Sequence, residues 1–148
     1  MTKRWAKQPG FTIVELLIVI VVIGILAAIT IVAYSGIQTR ARDSRRSSDI
    51  RQIKSALELY KVDNGLYPAA CGADDSGCSV SSLAATLVPK YMPSVPQDPQ
   101  FPASPYSYVR GPVLNDSYAI LVNFEAKATC KTGNNVNMGW WGSPPLIC

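Results

Sequence analysis

The 23 residues from Phe11 to Ala33 form an apolar run with a single charged side chain, Glu15. At about 1.5 Å per residue, a helix of this length spans about 35 Å, which is enough to cross the hydrocarbon core of a bilayer. Basic residues precede the run, as they do in an export signal. The apolar core of a cleavable signal is shorter, however, and Glu15 would interrupt it. We therefore predict a membrane-spanning helix, in which the presence of Glu15 needs an explanation.

The apolar run continues into an amphipathic segment. Four large apolar side chains recur there at spacings of three, four and three, which places them on one face of a helix: Ile50, Ile53, Leu57 and Tyr60. No proline interrupts residues 11–63, and Asn64-Gly65 is a typical helix end. The sequence thus predicts one helix from Phe11 to about Asp63, with a small domain packed on the apolar face of its second half.

The 84 residues after Asn64 hold all the cysteines of the chain, namely Cys71, Cys78, Cys130 and Cys148. A core of this size is small and is often reinforced by disulfides, and an even cysteine count fits an oxidising compartment. Metal binding is the alternative, but the chain has no histidine and no C-x-x-C pair. Three pairings are possible. We prefer Cys71–Cys78, which would staple the loop after the helix, and Cys130–Cys148, which would enclose the tail.

The same cysteines decide the orientation in the membrane. Lys3, Arg4 and Lys7 lie before the apolar run, and four arginines follow it closely, so the positive-inside rule gives nearly a tie. Disulfides require the C-terminal part to lie outside the cytoplasm. We therefore predict a single-pass precursor in the cytoplasmic membrane with its N-terminus inside and its C-terminus outside.

The C-terminal part has the pattern of a small sheet. Two β-rich runs, 106–110 and 117–124, are separated by the hairpin signal GPVLND, and residues 127–131 offer a third strand. Residues 81–92 begin with a serine cap and predict a short helical turn, and we expect an irregular loop over 132–148. The predicted fold class is α+β: a long N-terminal helix, one half in the membrane and the other amphipathic, packed against a small antiparallel sheet with disulfide-stapled loops.

Other polar residues are weaker candidates for a site. The arginines after the apolar run could contact DNA or acidic headgroups, but we expect a solvated stretch that faces other subunits: Arg40, Arg42, Arg45 and Arg46. Asp98 and Asp116 offer oxygens for Ca²⁺ without EF-hand-like spacing, and we predict no metal and no cofactor. The chain also has no G-x-S-x-G motif and no phosphate loop, which disfavours an enzyme.

The N-terminal residues resemble a known signature. GFTIVELLIVIVVIGILAAI, residues 10–29, is similar to the start of type IV pilins and of the pseudopilins of type II secretion: a basic leader, a glycine, usually a Phe, and a glutamate four residues on in an apolar helix. ALELYKVDNGLYP, 56–68, resembles the end of the long helix in that superfamily. YMPSVPQDP, 91–99, followed by PYSY, 105–108, resembles a pattern of the major pseudopilins. Many relatives carry a proline where this chain has Val32.

The resemblance implies roles for three N-terminal residues. A prepilin-type peptidase would cut after Gly10, and the new amine of Phe11 would be N-methylated. Glu15 would neutralise the Phe11 amine of a neighbouring subunit and set the axial register of a filament, which would explain a carboxylate in an apolar run. The alternative is an interfacial Glu15 that benefits from the helix dipole.

The predicted segments are a leader, 1–10, a transmembrane and filament-core helix, 11–35, its amphipathic continuation, 36–64, and a small globular domain, 65–148. We predict a structural subunit of a type IV pilus for adhesion, twitching motility or DNA uptake, which moves from the membrane into an extracellular pilus. Its partners would be its own copies in a helical filament, the prepilin peptidase and the pilus assembly platform, with contact to nucleic acid left open. The alternatives are a major pseudopilin of a type II secretion system and, less favoured, a membrane-anchored extracytoplasmic enzyme or binding domain.

Overall fold

A computed structural model of the protein describes residues 10–69, 77–111, 116–137, 139–141 and 146–148. The chain divides into two units, Met1–Gln38 and Thr39–Cys148, and one helix, α1, has residues in both. Helix α1 comprises the 52 residues Ile13–Asn64, so the predicted single long helix is confirmed. Its ends lie within two residues of the predicted ones, because the apolar run and the stop signal are encoded locally.

Helix α1 ends where a glycine adopts a left-handed backbone conformation. Gly65 has a φ of +79°, and its N–H donates to the carbonyl oxygen of Lys61 at 2.7 Å. Glycine takes this conformation without the steric cost that other residues bear, and the hydrogen bond satisfies a carbonyl of the last turn. Asn64 Nδ2 donates to the carbonyl oxygen of Tyr60 at 2.8 Å and satisfies another.

In the first unit, the apolar side chains of α1 are exposed. The large apolar residues described between Ile13 and Ile31 keep 47–80% of their surface accessible. By length and composition α1 is able to cross a membrane, with a mean hydropathy of 3.3 in its most apolar window. A helix that is apolar on all sides is stable only when lipid or other protein surrounds it.

The second unit carries a five-stranded sheet with the strand order β1-β2-β3-β4-β5. Its strands are β1 Cys78–Ser79, β2 Ser107–Arg110, β3 Tyr118–Val122, β4 Cys130–Asn134 and β5 Leu146–Ile147. The first four strands are antiparallel, as predicted, and β5 adds a short parallel edge beside β4. Between β1 and β2 lie a 3₁₀ turn, Val80–Leu83, and a one-turn helix, α2 Ala84–Leu87.

Two details of the predicted sheet are wrong. The third predicted strand, 127–131, is shifted, because β4 begins only at Cys130. The tail, 132–148, is not wholly irregular, since its first residues belong to β4 and two of its last residues form β5. The physical reason is the Cys130–Cys148 disulfide, which returns the chain end to β4, where the Cys148 N–H donates to the Lys131 carbonyl oxygen at 2.9 Å.

The short helical turn is confirmed, but its cap lies earlier than predicted. Ser79, rather than Ser81, precedes the 3₁₀ turn, and the Ser79 side chain accepts a hydrogen bond from the Ser81 N–H. A serine oxygen in this position satisfies one of the free donors of a first turn. The cap therefore fixes where β1 passes into the turn.

The apolar face of the second half of α1 packs against this sheet, as predicted. Ile53 and Leu57 have no exposed surface, and Tyr60 packs at the margin of the same core. Their buried partners come from the turn region and the strands, namely Val80, Leu83, Leu87, Met92, Tyr106, Tyr108, Tyr118, Ile120 and Val122. Burial of a Leu or Ile side chain contributes about 1.5–3 kcal/mol, so this face supplies much of the cohesion of the unit.

Candidate functional site

The N-terminal motif lies at the start of α1 and is accessible. Gly10 and Phe11 precede the helix, and Phe11 keeps 91% of its surface exposed. The Thr12 N–H and the Thr12 hydroxyl both donate to Glu15 Oε2 at 2.8 Å, and the Glu15 N–H donates to Thr12 Oγ1 at 3.2 Å. This is a capping box, in which a Thr cap and a Glu three residues later satisfy each other's backbone donors.

The capping box gives Glu15 a role inside its own chain that the sequence analysis missed. The signal was present as T-x-x-E directly before an apolar run. Both Thr12 donors go to one carboxylate oxygen, and in the described part of the chain the other oxygen, Oε1, accepts no hydrogen bond. Cleavage after Gly10, methylation of Phe11 and a role of Glu15 in assembly remain predictions.

A cluster of buried charges lies at the beginning of the second unit. Arg46 has no exposed surface, and its Nε and Nη2 donate to the two carboxylate oxygens of Asp98 at 2.7 and 3.0 Å. Arg46 Nη1 donates to Asp43 and to Glu125, each at 2.8 Å, and Nη2 also donates to Gln100 Oε1 at 3.0 Å. One guanidinium thus joins α1 to the segment before β2 and to the segment after β3.

Two carboxylates of this cluster, Glu125 and Asp43, have lowered pKa values. The pKa of Glu125 is lowered to about 2, first by the hydrogen bond from Arg42 and then by Arg46. Burial raises the pKa of Asp43, but the backbone N–H groups of Glu125 and Ala126, together with Arg46, outweigh burial and lower it overall. The hydrogen bond to Asp98 raises the pKa of Arg46, so the guanidinium stays charged.

The predicted solvated arginine stretch is wrong at Arg46. That side chain is buried because the carboxylates around it replace the water that it gives up. Arg42 is partly buried, and its Nε donates to Glu125 Oε1 at 2.6 Å. Arg40 and Arg45 are exposed, as expected. The four arginines differ in burial because they lie on different faces of the helix.

The carboxylates considered for Ca²⁺ have other partners. Asp98 is bound by Arg46, and Asp116 forms an ion pair with Lys61. Within the described ranges there is no group of three or more His, Cys, Asp or Glu residues that could hold a metal ion.

The disulfide predicted between Cys130 and Cys148 is present, with an S–S distance of 2.04 Å. Cys71 lies outside the described residues, so the Cys71–Cys78 bridge stays a prediction. Beside the observed bridge, Lys131 is fully buried, and its Nζ donates to the carbonyl oxygens of Asn137 and Trp140 at 3.2 and 3.3 Å. The disulfide joins the two ends of the C-terminal segment, and the Lys131 side chain binds carbonyl oxygens within it.

Comparison with known proteins gives two matches on adjacent parts of the chain. Residues 5–31 match the family model of the prokaryotic N-terminal methylation motif, and residues 33–141 match that of the type II secretion system protein G. No solved structure shows a significant match.

Curated relatives carry the same description. The type II secretion system core protein G of Aeromonas hydrophila is 34% identical over 107 residues, which cover 67% of this chain and 71% of the relative. The core protein G of Pseudomonas aeruginosa is 31% identical over 109 residues, covering 70% and 74%. The core protein G of Pectobacterium carotovorum is 33% identical over 101 residues, which cover 63% of this chain and 62% of the relative's length.

The predicted function as a type IV pilus subunit is wrong. The model that matches residues 33–141 describes a secretion protein, and the relatives above are named as core components of type II secretion. The Cys130–Cys148 disulfide occurs in a chain that matches the secretion family, so a disulfide-bounded tail does not by itself indicate a pilin. The finding agrees with the alternative given in the sequence analysis, a major pseudopilin.

Proposed function

We propose that this chain, which belongs to the type II secretion system protein G family, is a structural subunit of a secretion pseudopilus. The observation that carries this proposal is the order of the two matches on one chain. A methylation motif covers the exposed apolar half of α1, and the protein G model covers the folded unit that follows. In a chain of this kind the N-terminal apolar helix serves for polymerisation, and the second unit forms a folded head.

The apolar half of α1 serves first as a membrane anchor. Its exposed side chains are stable in lipid, and the disulfide in the second unit requires that unit to lie outside the cytoplasm. The precursor is therefore a single-pass protein with its N-terminus inside. The assembled subunit then lies between the two bacterial membranes rather than in an extracellular pilus.

Processing prepares the chain for assembly. Gly10 and Phe11 lie before the first turn of α1 and are exposed, so a prepilin-type peptidase can reach the peptide bond without opening the helix. Cleavage there leaves a cationic amine at Phe11, which is N-methylated. The new N-terminus is then separated from the helix by Thr12 alone.

Glu15 meets that amine from a neighbouring subunit. The capping box with Thr12 uses Oε2 and fixes the orientation of the carboxylate, which leaves Oε1 to accept from the amine. In a bundle of apolar helices an unpaired charge is costly, so the pair forms at one axial offset and sets the register. The other partners are further pseudopilins and the assembly platform of the secretion system.

Deletion of the gene in the bacterium that carries it tests this function. We expect proteins that depend on type II secretion to accumulate between the two membranes and to disappear from the medium, because the pseudopilus lacks its subunit. Surface pili should remain normal in number. A plasmid copy of the wild-type gene should restore secretion.

The opposite pattern would overturn the proposal. Loss of surface pili with normal secretion would assign the subunit to a different filament. Normal secretion and normal pili in the deletion strain, with no second copy of the gene expressed, would show that neither filament needs it.

A further inference from the structure

A basic pocket of about 300 Å³ opens beside α1 in the second unit. Its lining comes from α1 and from the segment that follows β3, namely Arg40, Asp43, Ser44, Ser47, Arg51, Ala126 and Lys127. The α1 residues other than Asp43 follow one another at spacings of four, three and four, which places them in one row along a face of the helix. The pocket is therefore a charged strip of helix with a wall on one side.

The buried charge cluster positions that wall. Asp43 accepts hydrogen bonds from the backbone N–H groups of Glu125 and Ala126, at 3.0 and 2.8 Å. These bonds hold the segment after β3 against α1, and Lys127 is the next residue along the chain. The Lys127 Nζ lies 5.6 Å from the Phe124 ring centroid, and this cation–π contact helps to position the Lys127 side chain.

The charge of the pocket is not balanced within the described part of the chain. Asp43 is the single carboxylate in the lining given above, and its oxygens are occupied by Arg46 and by two backbone donors. Arg40 and Arg51 are exposed and form no ion pair with a described residue. The pocket thus presents two guanidinium groups and one ammonium group to a partner that carries negative charge.

We propose that this pocket binds the phosphate group of an anionic phospholipid while the subunit is anchored in the membrane. Guanidinium groups match the oxygens of a phosphate in geometry, and the exposed hydroxyl of Ser44 adds a donor between them. Arg40 stands seven residues after Ala33, where the apolar run ends. Even an extended chain of that length reaches no more than about 25 Å, and a helix rises about 10 Å, so Arg40 lies within reach of the headgroups.

The acidic groups of a second copy fit this pocket less well. The exposed acidic side chains described in the second unit already have partners. Asp63 pairs with Lys90, Asp116 with Lys61 and Glu125 with Arg42, while Glu58 accepts hydrogen bonds from Tyr67 and Tyr118. Lipid phosphates carry no such internal partner, and clusters of basic residues close to a membrane helix attract anionic lipids.

The test uses the full chain, purified in a non-ionic detergent, with phosphatidylglycerol as the probe and phosphatidylcholine as the neutral lipid. Native mass spectrometry measures the fraction of monomers that retain one lipid. We expect preferential retention of phosphatidylglycerol and an affinity about 25-fold lower in Arg40→Gln/Arg51→Gln, since each basic residue near an anionic surface contributes about fivefold. Circular dichroism checks that the variant remains folded.

Two controls separate a pocket from general surface charge. Arg45→Gln removes an exposed charge on the same helix outside the pocket, and Lys61→Gln/Lys90→Gln removes two charges farther away. Because neither variant removes a side chain that lines the pocket, we expect each to lose less than about fivefold in affinity, the contribution of one basic residue near an anionic surface. An equal loss in Arg45→Gln would overturn the pocket in favour of a diffuse basic surface.

Two further outcomes would also overturn the proposal. Displacement of the lipid by an equal concentration of inorganic phosphate would show a site for free anions. Unchanged lipid retention in Arg40→Gln/Arg51→Gln, together with loss of dimers in the same spectra, would assign the pocket to a carboxylate of a second copy.

Discussion

The guanidinium of Arg46 and the carboxylate of Asp98, 52 residues apart in the chain, form a bidentate pair in which both side chains are buried. The pair fixes the proline-rich segment before β2 to the second half of α1. Such a pair has a definite geometry, whereas apolar contacts alone would permit the segment to slide. The head of the subunit therefore has a single orientation on its helix from Arg46 onward.

Replacing Asp98 tests the importance of this pair. Asp98→Ala leaves a buried guanidinium that keeps Asp43 and Glu125 but loses its bidentate partner, and removal of one partner from a buried ion pair costs at most about 3 to 5 kcal/mol. We expect a loss of this size in the free energy of unfolding of the second unit. Urea unfolding of the full chain in a non-ionic detergent, followed by the near-ultraviolet circular dichroism of its aromatic residues, measures it.

Asp63→Asn is the matched control. Asp63 pairs with Lys90 on the surface, with both side chains largely exposed, and exposed pairs contribute little. We expect its unfolding midpoint to stay close to that of the wild type. A loss in Asp63→Asn equal to that in Asp98→Ala would show that burial does not distinguish the two ion pairs.

Acid should destabilise the second unit. The pKa of Glu125 is lowered to about 2 in the folded state, and that of Asp43 is also lowered. A carboxyl group with a lowered folded pKa stabilises the fold at any pH above its unfolded pKa, and this contribution disappears as the pH falls towards the folded pKa. We expect the unfolding midpoint in urea to fall between about pH 5 and pH 2.

Glu125→Gln should reduce that dependence. Its amide cannot titrate, so the variant should be less stable than the wild type at pH 7 and should lose less stability on acidification. An identical slope for the variant and the wild type would show that Glu125 does not contribute to the acid transition.

The C-terminal disulfide should stabilise the fold. Cys130→Ser/Cys148→Ser opens a loop with a sequence separation of 18 residues, and the chain-entropy model gives about 3 kcal/mol for a loop of this size. Amide hydrogen exchange in β4 and at Cys148 should increase, because the chain end is then held by β5 alone. Unfolding in urea measures the loss, and an unchanged midpoint would contradict it.

Peptide mapping without reduction checks the remaining pairing. We expect a peptide that links Cys71 to Cys78, together with the one that links Cys130 to Cys148. A peptide in which Cys71 is joined to Cys130 would contradict both.

The elements that short-range patterns encode are the ones that sequence analysis located. The end of α1 follows from Gly65, which alone accepts the left-handed turn at no cost, and the docking face follows from the spacing of Ile53 and Leu57. The capping box of Thr12 and Glu15 is equally local, because the T-x-x-E pattern before an apolar run encodes it.

Long-range partners explain what the sequence could not supply. Nothing near Arg46 in the chain indicates that Asp98 lies against it, so its burial was not predictable from a run of arginines. The third predicted strand ends at Lys131, but this residue is buried inside β4, which is rare for a lysine. Its Nζ donates to carbonyl oxygens of a loop whose course depends on the disulfide. Because these bonds permit Lys131 to be buried, β4 continues beyond it to Asn134.

Processing should leave a defined N-terminus. We expect the mature chain to begin at Phe11 with one methyl group on its amine, because Gly10 and Phe11 are exposed before the first turn of α1. Mass spectrometry of the intact membrane-fraction protein measures this. A mature chain that begins at Met1 or at Gly36 would contradict the role given to the leader.

The assembly role proposed for Glu15 predicts that its replacement separates anchoring from polymerisation. In Glu15→Ala the helix becomes more apolar, so insertion should be as good as in the wild type. Cleavage should also persist, since the peptidase acts at Gly10. The Phe11 amine of a neighbour would then be buried without a partner in the filament. The control, Val14→Ala, removes a neighbouring apolar side chain and leaves the carboxylate.

The decisive measurement is the amount of type II secreted protein in the medium of a deletion strain that expresses Glu15→Ala, at a level of processed membrane protein equal to that of the wild type. We predict that secretion is lost with Glu15→Ala and restored with Val14→Ala. Normal secretion with Glu15→Ala would contradict the claim that this subunit works by polymerising through its N-terminal carboxylate.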